Sequence, residues 1–173
     1  MKHLHLALLP LLLFAFFVCA TISGCRDASR PADLPTLYPC ILTFQQEGKP
    51  LVGAVISLEP AGKSSKWAVT SITDESGVAR VVTHGKYPGA PEGDYAIVIY
   101  KEENEQEKTN RTTVDDLGNE VEVGGMISTY SCVEKDYTDP ATSPLKITIT
   151  KGKNEQNFEC GKAVRVLLRK VAP

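Results

Sequence analysis

The sequence predicts an all-β fold, an antiparallel β-sandwich of about seven strands. Three observations point to it. From residue 40 onward apolar side chains recur at every second position. Clusters of Gly, Pro, Asp and Asn interrupt that alternation at short intervals. No stretch beyond residue 40 holds a 3.6-residue apolar period. Short alternating runs with turn signals between them are the pattern of half-buried strands in a sandwich.

The strands follow in order. In residues 40–45, Cys40, Leu42 and Phe44 alternate with Ile41, Thr43 and Gln45, so the first set takes the core face. Glu47-Gly48-Lys49-Pro50 reads as a turn. Val52, Ala54, Ile56 and Leu58 form a second alternating set, stopped by Pro60. Residues 67–72 are a third strand that carries Trp67. Asp74-Glu75-Ser76-Gly77 is a turn, and residues 78–83 are a fourth strand. Pro88, Gly89, Pro91 and Gly93 mark a loop before a β-branched and aromatic fifth strand, residues 95–100. Residues 145–150 and 156–160 read as a late hairpin across Lys151-Gly152-Lys153-Asn154. Residues 164–168 either extend it or form a tail strand. Between these lies a polar, charge-rich insertion, about 101–131, whose residues 102–125 read as a solvated mobile loop.

The chain begins differently. Lys2 precedes an almost wholly apolar run, residues 6–22, closed by Ile22-Ser23-Gly24-Cys25. The run is interrupted by Pro10 and ends in small residues, so it reads as a cleaved signal helix rather than a spanning anchor. Its end resembles the lipobox of bacterial lipoproteins. That resemblance implies cleavage after residue 24 and a diacylglyceryl group on the Cys25 sulfur. Removing residues 1–24 leaves 149 residues with 18 basic and 21 acidic side chains, a formal charge of −3. That length suits one domain, residues 40–173. The mild acidity excludes a nucleic-acid surface, which needs clustered Lys and Arg. Residues 25–39, with Pro31, Pro35 and Pro39, read as a semi-rigid spacer. Arg26 stands where an Asp would signal inner-membrane retention, which favours the outer membrane or cell surface. The expected location is therefore the cell envelope, with the domain outside the cytoplasm.

Four segments carry a second resemblance. Gly48-Lys49-Pro50-Leu51-Val52-Gly53-Ala54-Val55-Ile56, Thr73-Asp74-Glu75-Ser76-Gly77-Val78-Ala79 and Gly93-Asp94-Tyr95-Ala96-Ile97-Val98-Ile99 resemble the motifs of carboxypeptidase regulatory-like domains. The segment from Tyr137 to Leu145 resembles one found in small exported proteins of planctomycete-like bacteria. The resemblance covers residues 40–160 and implies a transthyretin-like, Ig-like sandwich. It implies no particular activity. The charged insertion and the tail beyond Cys160 depart from the family pattern.

Candidate chemistry is sparse. After Cys19 leaves and Cys25 takes lipid, Cys40, Cys132 and Cys160 remain. Cys40 and Cys160 share parity with Phe44 and Phe158 and so face the core. In transthyretin-like folds the first strand and a late strand lie side by side, which implies a Cys40–Cys160 disulfide, with Cys132–Cys160 as the rival pairing. Zinc held by the three cysteines and His84 lacks ligand spacing. Asp115, Asp116, Glu120 and Glu122 lack a calcium-loop pattern. His84 is the only histidine after the signal, and no nucleophile-elbow, P-loop or dinucleotide motif accompanies it. Tyr87 is the better exposed aromatic for a glycan, whereas Trp67 and Tyr95 read as core. The expectation is a non-enzymatic lipoprotein without cofactor or metal, attached to a membrane through Cys25. Its sandwich is a structural or interaction module for an unknown protein or glycan. The alternative is a small-ligand or ion-binding lipoprotein that uses the acidic insertion.

Overall fold

Alternation becomes strands wherever one face can be buried, as residues 40–46 and 55–60 show. The computed structural model describes residues 30–62, 65–109 and 111–172. Cys25, the segment expected to be a signal and the start of the expected spacer lie outside the described residues. Two compact units are present, Met1–Leu34 and Pro35–Pro173. In the first, the Leu34 N–H donates to the Pro31 carbonyl at 3.2 Å.

The second unit is all-β. In chain order its strands are β1 (Leu37–Tyr38), β2 (Cys40–Gln46), β3 (Lys49–Pro50), β4 (Val55–Pro60), β5 (Val69–Ile72) and β6 (Val78–Arg80). Then come β7 (Val82–Thr83), β8 (Tyr87–Pro88), β9 (Ala90–Pro91), β10 (Gly93–Tyr100), β11 (Glu102–Gln106) and β12 (Thr112–Val114). The last are β13 (Glu120–Glu122), β14 (Ile127–Ser131), β15 (Lys146–Ile149), β16 (Asn154–Glu159) and β17 (Val166–Val171). A 3-10 turn, Lys135–Thr138, is the one helical element among the described residues.

Two sheets enclose the core. One has the order β15-β10-β4-β5-β7-β8, all antiparallel. The other centres on β2, with β16 on one edge and β3 and β6 sharing the opposite edge end to end. Their inward faces interdigitate. Leu42, Phe44 and Ala79 come from the second sheet, and Ile56, Leu58, Val69, Ile97, Ile99 and Ile149 from the first. Phe44 stacks on Phe158 at 5.4 Å between centroids with 20° between the planes. This packing makes the fold a sandwich.

Several expectations change. The third strand starts at Val69 rather than Trp67, which is half-buried outside it. The fourth strand is broken at Val81. Its first half, β6, pairs with β2, and its second half, β7, pairs with β5 and β8 in the other sheet. The Val81 N–H donates to the Cys40 carbonyl at 3.0 Å, while the Val81 carbonyl accepts from Gly89 N–H at 2.8 Å. One strand thus turns the corner between the sheets. Residues 145–160 are not a hairpin, because β15 joins β10 and β16 joins β2 in the opposite sheet. Buried Asn154 ties that crossover. Its amide donates to the Thr150 and Gly152 carbonyls at 3.0 and 3.2 Å and accepts from the Thr150 N–H at 2.9 Å. The pairing of β16 with β2 is also parallel rather than antiparallel. The end of the expected spacer is structured too, since β1 pairs with β9.

The turn grammar is built as its residues dictate. Glu47 and Gly48 have φ of 52° and 74°, and His84 and Gly85 have φ of 55° and 66°. Two successive positive φ values suit the right-handed twist of a tight hairpin. Buried Thr73 donates its hydroxyl to the Leu51 carbonyl at 2.5 Å and accepts the Ala54 N–H at 2.8 Å. The Asp74 carboxylate accepts the N–H groups of Ser76 and Val78 at 2.9 and 3.0 Å.

Candidate functional site: the third sheet and its open edge

The charged insertion is not a loop. Residues 102–106 form β11, which pairs antiparallel with β14, and β14 pairs antiparallel with β17 from the tail. The three make a separate sheet in the order β11-β14-β17. Beyond it β12 and β13 form a hairpin of their own. The sequence conceals this sheet because β11, Glu-Glu-Asn-Glu-Gln, is exposed at every position and has no apolar alternation to read. β14, Ile-Ser-Thr-Tyr-Ser, went unpredicted altogether. Its β-branched and aromatic content was the available signal.

Charges lace the sheet across its middle strand. Arg165 pairs with Glu105 at 2.5 Å and stacks over the Tyr130 ring at 3.7 Å. Lys170 pairs with Glu107, and Arg169 with Glu102 at 3.9 Å. The Arg169 Nε also donates to Thr129 Oγ1 at 3.3 Å. Exposed pairs of this kind are screened by water and orient side chains more than they stabilise the sheet.

The outer strand β17 stands out. All six of its residues, Val-Leu-Leu-Arg-Lys-Val, are exposed. Val166, Leu167 and Leu168 keep 52–54% of their surface, and Val171 keeps 47%. Val166 and Leu168 help line a groove of about 340 Å³ with Tyr100, Val133 and Thr138. The Tyr100 hydroxyl donates to the Thr138 carbonyl at 3.1 Å at its margin. An exposed apolar strand on an open edge is a natural pairing surface.

The residues singled out in the sequence do not converge. Cys40, Cys132 and Cys160 are free thiols. Cys40 and Cys160 do face the core on neighbouring strands, as their parity requires. Their strands run parallel, however, with Asn154 opposite Cys40, so Cys160 lies six residues further along. That is about 20 Å, well beyond disulfide reach. Cys132 lines a different depression with Lys101, Glu103 and Arg165. Burial pushes the Cys40 thiol up to about 11 and the Cys160 thiol up to about 12. Cys132 is also raised, first by desolvation and then by Glu103. Thiols buried and held protonated, as at Cys40 and Cys160, are poor nucleophiles. Among the described residues no three His, Cys, Asp or Glu side chains gather as a metal site.

His84 sits on the β7–β8 turn, its ring edge-on to Trp67 at 5.5 Å. Tyr87, expected on the surface, is 8% exposed and belongs to the buried set. The acidic hairpin has a local explanation. The Asp115 carboxylate accepts the N–H groups of Leu117 and Asn119 at 2.9 and 2.8 Å and the Asn119 side-chain amide at 3.1 Å. These bonds, the Asn119 N–H first, hold its carboxyl below the ordinary value of 3.8.

A folded-state value depressed in this way contributes stability that is full above the unfolded value and is lost as pH falls through the folded one. Hydrogen-exchange protection at Leu117 and Asn119 should therefore drop on acidification. Asp115→Ala should remove that protection at neutral pH as well. Millimolar calcium should leave both results unchanged, and calcium-induced protection would instead make the hairpin an ion site.

In comparisons with known proteins, no family model, no curated protein and no solved structure matches the chain. Among the described residues no helix is long and apolar enough to cross a membrane.

Proposed function

We propose that this chain is a lipid-anchored exported lipoprotein, tethered through Cys25 at the cell envelope, whose sandwich is a non-enzymatic interaction module. The anchor rests on the apolar run and on Ile22-Ser23-Gly24-Cys25. Two or more acyl chains would hold it firmly, whereas one gives only marginal attachment.

The module reading rests on one observation, the open apolar edge of β17 beside its groove. The surface is suited to taking up another strand by main-chain pairing, with side-chain contacts for selectivity. The carboxypeptidase regulatory-like reading rests on the resemblance of its sequence segments. The Thr73–Val78 turn is closed by Asp74, and Gly77 takes φ of 74° against β2.

Cys25→Ala is expected to abolish metabolic labelling by a fatty acid and to release the protein from the membrane fraction. Undiminished labelling of that variant would sink the anchor.

A further inference from the structure

β17 carries a bulge that determines which strand can lie against it. Across β14 the partners are Val166 with Ser131, Leu167 with Tyr130, Arg169 with Thr129, Lys170 with Ser128 and Val171 with Ile127. The register shifts between Thr129 and Tyr130, which leaves Leu168 as the extra residue. Residues opposite one another share a face. Alternation on β14 then puts Val166, Arg169 and Val171 on one face and Leu167 and Lys170 on the other. Leu168 lines the same groove as Val166 and so joins the first face. Along β17 the faces read first, second, first, first, second, first. That sequence is a palindrome.

A regular strand alternates strictly and cannot match it over six residues. This holds for β11, whose partners on β14 alternate without a shift. A second β17, run antiparallel, matches at every position. Charge agrees with this. In that register each cation lies directly opposite an aliphatic residue; the two Arg169 side chains come side by side at the two-fold axis, each turned toward its own Glu102, and Lys170 pairs with Glu107. At the other edge, Glu102, Glu103 and Glu105 would repel a copy of themselves.

We infer that two copies of this chain pair through β17. Val166 lies opposite Val171, Leu167 opposite Lys170 and Leu168 opposite Arg169, so that the third sheets of both copies fuse into one of six strands. The contact is isologous and closes as a dimer. This names the partner of the interaction module proposed above and rests on that reading.

The test is sedimentation equilibrium of the full chain in density-matched detergent. A dimer is expected at about 100 µM, with dissociation in the micromolar range suited to a small interface. Leu168→Lys places a cation opposite Arg169 in two symmetry-related positions and should weaken the dimer about tenfold or more. Far-UV circular dichroism reports whether that variant folds, and Leu167→Lys, which opposes Lys170, serves if it does not. Mild oxidation of a Leu167→Cys, Lys170→Cys double variant should give a covalent dimer, while either single variant should not. A monomeric wild-type chain overturns the inference, as does a dimer that both lysine variants leave intact. Neither result touches the anchor, which labelling at Cys25 tests separately.

Discussion

Phe44→Ala should destabilise the folded chain by about 3–5 kcal/mol, the range found when a large aromatic is removed from a tight core. Phe44 is fully buried at the centre of β2. It meets Phe158 from the neighbouring strand and lies among aliphatic side chains of the facing sheet. The site has little means of collapse, because strands paired on both edges cannot move inward independently. The cost therefore contains a cavity contribution besides the lost transfer of the ring. The measurement is urea unfolding. The midpoint should fall with an unchanged slope, since the surface exposed on unfolding stays similar. Phe44→Leu, which fills most of the volume, should cost far less. Equal losses from Ala and Leu would mean that the ring stack, not packing volume, dominates.

Gly77→Ala should be about as damaging although it adds only one carbon. Gly77 has φ of 74°, where a β-carbon costs about 1–2 kcal/mol by itself. The new carbon would also fall on the Phe44 carbonyl oxygen, with the Leu51 nitrogen 3.2 Å away. Both neighbours are backbone in ladder bonds. The Phe44 N–H donates to the Gly77 carbonyl at 2.8 Å, and the Leu51 N–H to the Phe44 carbonyl at 3.0 Å. Relief requires prying β6 and β3 away from β2, so a total near 3 kcal/mol or more is expected. A control is Gly48→Ala, where φ is also 74° but open space surrounds the new carbon. It should carry the conformational cost alone. If the two variants lose the same stability, the close approach to β2 is not what Gly77 is for.

Much of the sandwich was legible because burial on one face imposes a period on the chain. Leu42, Phe44, Ala54, Ile56 and Leu58 were marked for the core by alternation alone and are buried, whereas Val52, from the same alternating set, lies before β4 and is exposed. Asp74 and Gly77 announced their turn through chemistry local to four residues. What alternation does not contain is the identity of the neighbouring strand. Residues 145–150 and 156–160 look alike whether they pair with each other or with β10 and β2 across the core. The same ambiguity hid the break at Val81. It also turned a sound inference, that the first and a late strand are neighbours, into a disulfide that the parallel register forbids. The third sheet was illegible for a further reason. A strand such as β11, solvated on both faces, gains its order from pairing rather than burial, and pairing leaves no apolar mark.

The sequence by itself determined the all-β class, the inward faces of the main strands and the tight turns. Those properties depend on side-chain polarity and on φ, which each residue carries with it. Its leading segment likewise carries the lipobox resemblance without reference to the fold. Only the tertiary structure decided that Cys40 and Cys160 stand apart, that the acidic insertion is a sheet and that β17 presents a bulged, apolar open edge. Each of these depends on which distant segment supplies the other half of a ladder. That choice is made by the packing of the whole chain, because backbone hydrogen bonds are the same for every residue pair and distinguish none.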